Sequence, residues 1–148
     1  MNNINFGGYI NPQIYILYVF LFPYYNKHLG YFLLSSFFLG ISIDFFMNSG
    51  GINAFSITLI AYLRQKIFNI IMGNQEAGEK YSIREVPFSK SLTYVFSLTL
   101  IHHIALFWLE NFSFDELKSM FFRIILSTIY STILLLLSLS LFLRKNKL

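Results

Sequence analysis

Polar residues divide this chain into five apolar runs and one long hydrophilic segment. The first run, Tyr9 to Phe22, is interrupted only by Asn11 and Gln13, and Pro12 suits an opening helical turn. It is short, since an α-helix needs about 20 residues to cross a bilayer. Pro23 and Tyr24-Tyr-Asn-Lys-His28 form a polar connection to the second run, Leu29 to Met47. The third run extends from Ile52 to Met72 and the fourth from Ser91 to Phe112. Ser113 to Glu116 has the pattern of an N-cap with acidic first-turn residues. A last helix starts near Asp115, with its membrane part at 119–142, before the basic tail Arg144-Lys-Asn-Lys147. Helices are thus predicted at about 9–22, 29–47, 52–72, 91–112 and 119–142, with residues 73–90 as a surface loop.

Two runs carry internal features. Arg64-Gln-Lys66 interrupts the third, so the helix either ends near Leu63 or continues while both cations snorkel to the headgroups. The apolar Ile67-Phe-Asn-Ile-Ile-Met72 beyond favours snorkelling. In the second, Ser36 and Gly40 form a small-xxx-small pair that either admits a neighbouring helix or is ordinary scatter. The chain is organised around the join between these runs, Leu39-Gly-Ile-Ser-Ile-Asp44-Phe-Phe-Met-Asn-Ser-Gly50-Gly51-Ile-Asn-Ala-Phe55. Gly50 and Gly51 allow a turn with positive φ, and Asn48 or Ser49 can cap the following helix. A helix–turn–helix hairpin follows, with Asp44 one turn below the bend.

Composition agrees with membrane residence. Of 148 residues 55% are hydrophobic and only 12% charged, against roughly 25% charged in soluble domains. The absence of cysteine excludes disulfides, thiolate metal sites and a cysteine nucleophile. A formal charge of +4 raises the question of nucleic acid, but the cations sit at segment ends, a pattern of membrane topology. With the tail in the cytoplasm, Lys27, Arg64, Lys66, Lys80, Arg84, Lys90, Arg144, Lys145 and Lys147 fall on that side, nine of eleven cations. Lys118 and Arg123 stay outside, as do the Gly-Gly bend, Asp44, Glu110 and the N-terminus.

Few residues offer chemistry. A carboxylate within a span costs about 2.5–3.5 kcal/mol on insertion scales and usually pairs or serves function. Arg64 is a poor partner for Asp44, because it lies about 20 Å below the bend at 1.5 Å per residue. The start of the third helix is a better one, since its free N–H groups and dipole favour a carboxylate. That role is structural; a partner- or ligand-binding role is the alternative. His102 and His103 suggest metal binding or proton transfer, yet adjacent helical residues diverge by about 100°. Buried imidazoles hydrogen-bonded between helices are the other reading, and His103, Phe107 and Glu110 share a stripe. With no phosphate loop, nucleophile elbow or paired carboxylates, neither enzyme activity, cofactor nor metal is expected.

Taken in order, these segments resemble the MreD family, the small polytopic subunit of the bacterial rod-shape machinery (elongasome). The resemblance covers essentially the whole chain. It rests on Gly8-Tyr-Ile-Asn-Pro12, Leu39-Gly-Ile-Ser-Ile-Asp44-Phe-Phe with its bend, Ala61-Tyr-Leu-Arg64, Leu100-Ile-His-His-Ile104 with Phe107 to Glu110, and Phe142-Leu-Arg-Lys145. It implies an all-α integral protein of the bacterial cytoplasmic (inner) membrane with about five spans here and six in the family. It also implies a non-catalytic scaffold that binds the single-pass protein MreC. Through it, cytoplasmic MreB filaments are coupled to the synthases of lateral peptidoglycan. MreD-like proteins are similar to the substrate-binding subunits of energy-coupling-factor transporters, so a small-molecule-binding transport subunit is the alternative. Its pocket would draw on Asp44, Asn48, Asn53 and Glu110.

The family usually opens with one more helix. Met1-Asn-Asn-Ile-Asn-Phe-Gly-Gly8 reads as a turn between helices, without charge or basic leader. We therefore expect a further apolar helix, with a basic beginning, encoded upstream of Met1. An intact cellular mass near 17.4 kDa would count against it.

Overall fold

The computed structural model describes residues 13–22, 29–73, 87–110 and 117–144, and every regular element among them is helical. A 3-10 turn, Ile14–Ile16, leads into the short helix α1 (Leu17–Leu21). There follow α2 (Leu29–Met47), α3 (Ile52–Met72), α4 (Phe88–Glu110) and α5 (Leu117–Arg144). The bounds of α2 and α3 are those the apolar runs predict. α4 starts three residues early: the Pro87 carbonyl takes the Ser91 N–H at 3.0 Å, which closes a helical turn over 88–90. Phe88, Ser89 and Lys90 are therefore helical rather than loop. The Ser113–Glu116 helix start and most of the 73–90 loop lie outside the described residues.

Among the described residues three helices, where five spans are expected from the sequence, are by themselves long and apolar enough to cross a membrane: α2, α4 and Leu117–Phe142 of α5. α3 has the length, but Asn53, Arg64, Gln65, Lys66 and Asn69 dilute its apolar character. The first run forms only the turn and α1 among its described residues. Its chain leaves the helix at Phe22 (φ −67°, ψ 131°), directly before Pro23, which disfavours helical backbone in the residue it follows.

The helices pack in chain order, α2 on α3, α3 on α4 and α4 on α5, while α1 lies against α3 and α5. Antiparallel neighbours bring matching ends together. Phe68 of α3 meets Tyr94 of α4 edge-on at 5.5 Å. At the opposite end Ile52 packs against a cluster of Leu106, Phe107, Met120 and Ile124. The main core joins Ile16 of the 3-10 turn and Val19 of α1 to Phe32, Ile57, Leu98 and Leu135.

The α2–α3 hairpin depends on two backbone features. Its bend places Asn48, Gly50 and Gly51 at φ of 53°, 65° and 98°, so both glycines sit where a Cβ is disfavoured. Along the legs, a Cβ on Gly40 would lie 2.3 Å from the Ala54 Cα and 2.8 Å from its nitrogen. The Ser36/Gly40 pair therefore serves close approach: α3 backbone occupies the space a side chain would need.

Gly40→Ala should destabilise the protein by about 1–3 kcal/mol, the usual cost of overpacking. Gly30→Ala has nothing within 4 Å and should be neutral or slightly stabilising. Thermal unfolding of both variants in detergent micelles distinguishes them. Equal melting temperatures would refute the close-approach account.

Candidate functional site

The Asp44 side chain leaves α2 one turn before its end and reaches the first turn of α3. Its Oδ1 accepts hydrogen bonds from the Ser49 hydroxyl (2.5 Å), the Asn53 backbone N–H (3.0 Å) and the Asn53 side-chain amide (3.0 Å). Its Oδ2 accepts the Ala54 N–H at 2.8 Å. The N-cap of α3 is Gly51, which has no side chain to offer, so the cap comes from the preceding helix. This replaces the cap expected from Asn48 or Ser49. Asn48 is exposed, and Ser49 supports the carboxylate instead. Hydrogen bonds to a charged group are worth about 1.5–3 kcal/mol each, so four of them more than offset the roughly 2.5–3.5 kcal/mol cost of a carboxylate in a span.

From this carboxylate a line of polar contacts crosses the bundle. The Asn53 amide nitrogen also donates to Ser49 Oγ at 2.8 Å, and its Oδ1 accepts the Tyr15 hydroxyl at 2.7 Å. That hydroxyl lies 3.0 Å from His102 Nε2, with the rings edge-on at 5.4 Å. His103 has separate partners. Its Nδ1 lies 2.8 Å from the Thr99 carbonyl, its ring stacks on Phe107, and its Nε2 lies 3.5 Å from Ser131 Oγ. Ser131 in turn accepts the Gln13 backbone N–H at 3.4 Å. The 3-10 turn thereby links α3, α4 and α5.

Arg64 occupies a second buried position, 5% exposed. It does not snorkel. Its guanidinium donates to the carbonyls of Val19 (2.7 Å) and Phe22 (3.0 Å) and lies 3.9 Å over the Phe32 ring. Carbonyls at a helix C-terminus lack helical partners and carry the negative end of the dipole, so a cation is stabilised there. Lys66 is exposed, with Nζ 5.0 Å from the Tyr62 ring centre.

Of the residues singled out by sequence, Asp44, Asn53 and His102 lie on one polar line, with His103 beside it. Gly50 and Gly51 shape the bend, while Asn48 and Glu110 are exposed. Glu110 does not extend the His103–Phe107 contact inward. Tyr15, Gln13 and Ser131 escaped notice. Tyr15 is one aromatic among many, whereas Ser127, Thr128, Ser131 and Thr132 recur at helical spacing in a Leu-rich run and mark a buried polar stripe. Among the described residues no three His, Asp or Glu side chains converge as for a metal ion. The arrangement holds helices together: its carboxylate is fully engaged and its amide and hydroxyl face each other.

Among the described residues every element is helical, three helices are long and apolar enough to cross a membrane, and a polar cluster lies in the interior. No family model, characterised protein or solved structure matches it.

Asp44→Ala strands two buried N–H groups, at about 1–3 kcal/mol each, and should lower stability by about 3 kcal/mol or more. Glu110→Ala changes an exposed group and should stay within about 0.5 kcal/mol. Unfolding in detergent, followed by helicity, is the measurement. An Asp44→Ala protein as stable as the parent would show the carboxylate to be dispensable.

Proposed function

We propose that this chain is a non-catalytic membrane scaffold of the MreD type, acting in bacterial cell elongation. The observation that carries the reading is the division between its interior and its edge. The polar line from Asp44 through Asn53 and Tyr15 to His102 is bonded within the interior, whereas α2 is buried over only 22% of its span, against 44% and 39% for α4 and α5. The open side of α2 is aromatic, with Tyr31, Phe38, Phe45 and Phe46 between 63% and 86% exposed. Such a face suits a second helix within the bilayer, and the MreD-like segments named above agree with it.

In this reading five segments lie in the inner membrane, α1 and α3 among them, their polar groups sheltered by α2, α4 and α5. The tail and residues 73–90 face the cytoplasm, as the nine-to-two division of cations favours. The direct partner is the membrane segment of MreC. MreB and the peptidoglycan synthases are engaged indirectly, and the bilayer surrounds the spans. The transporter-subunit alternative has less support: Asp44 and Asn53 are bound to each other, and Asn48 and Glu110 are exposed at the surface.

Co-purification of MreC's transmembrane segment alone with this protein is the test. We expect recovery, with crosslinks from cysteines placed at Phe38 and Phe45 of α2 and weak ones from the buried Ser36 position. A parallel scan of Ile125, Ile129 and Ile133 on α5 reports whether the last helix is used instead. Failure to recover the segment would move the contact to soluble regions and overturn the intramembrane interface.

A further inference from the structure

The polar line leaving Asp44 has a direction. A carboxylate only accepts, so Asn53 must turn its Nδ2 toward Asp44 and Ser49 and its Oδ1 toward Tyr15. An amide oxygen also only accepts, so the Tyr15 O–H must donate to it. The lone pairs of that hydroxyl then face His102, whose Nε2 must carry a proton to donate. Burial disfavours the doubly protonated, charged ring, which leaves His102 Nδ1 as a bare acceptor. His103 is set the other way. Its Nδ1 faces the Thr99 carbonyl and must donate, so its Nε2 accepts from Ser131, which itself accepts the Gln13 N–H. Neighbouring histidines therefore hold opposite tautomers.

At the far end of the line, His102 Nδ1 and Thr99 Oγ1 are both buried without a partner among the described residues. Both residues are fully buried. They stand three apart on α4, where side chains are neighbours at about 5–6 Å between Cβ atoms, a separation one water molecule bridges. We propose that α4 holds a buried water at this point, accepting the Thr99 hydroxyl proton and donating to the His102 Nδ1 lone pair. The polar line would then run from the carboxylate at the bend to an internal water, through Asn53, Tyr15 and His102. The Asn53 amide does not relay protons, so the line orients groups and does not conduct. This inference is independent of the scaffold reading.

The test is solid-state NMR of the full chain, labelled with 15N-histidine, in deuterated lipid bilayers. Signals are assigned by replacing His28 and His103 in turn with Gln. We expect His102 to show a protonated Nε2 and an unprotonated Nδ1 that receives polarisation from water, and His103 the reverse tautomer. A protonated Nδ1 on His102, or an unprotonated one without water transfer, would overturn the proposal. Thr99→Val replaces the hydroxyl with a methyl group of the same shape. It should abolish the water transfer and keep the Nε2–H tautomer; transfer that persists in this variant would also overturn the two-partner site.

Discussion

The contact between the Asp44 carboxylate and the first turn of α3 is the constraint on which the rest depends. It uses two N–H groups that any helix start leaves unsatisfied, and it does so from another helix. The angle and register of the hairpin are therefore set together with the cap. Register in turn places Gly40 against Ala54, and that close approach brings Phe32 alongside Arg64. Asn53, held by the same carboxylate, then offers its oxygen to Tyr15.

Among the described residues two opposite charges are buried, and each lies against a helix terminus of suitable polarity. Asp44 meets the positive end of α3; Arg64 meets the negative end of α1. Each arrangement pairs a charge with backbone groups that a helix terminus leaves without helical partners. The short α1 makes sense in this light. A helix that stops inside the protein exposes carbonyls, and Arg64 is the residue positioned to receive them.

Most polar side chains of the cluster bond one another, while α2 keeps aromatic residues at its outer face. The adjacent histidines belong to the same scheme: each ties α4 to a different neighbour, His102 to Tyr15 and His103 to Ser131.

Much of the fold was legible in the residues themselves. The long apolar runs determine α2 and α3 to the residue, because in an apolar stretch only helical hydrogen bonding satisfies the backbone locally. The Gly50-Gly51 bend and the destination of Asp44 were legible for a similar reason: both follow from short-range geometry across a tight turn. Arg64 was misread, since snorkelling and burial differ only in whether acceptors lie nearby, and those acceptors belong to a segment some forty residues away. Likewise, the partnership of Tyr15 with Asn53 and His102 spans separations of 38 and 87 residues. Local pattern records what a residue can bond to. Only the packing of helices distant in sequence decides which of those bonds is made.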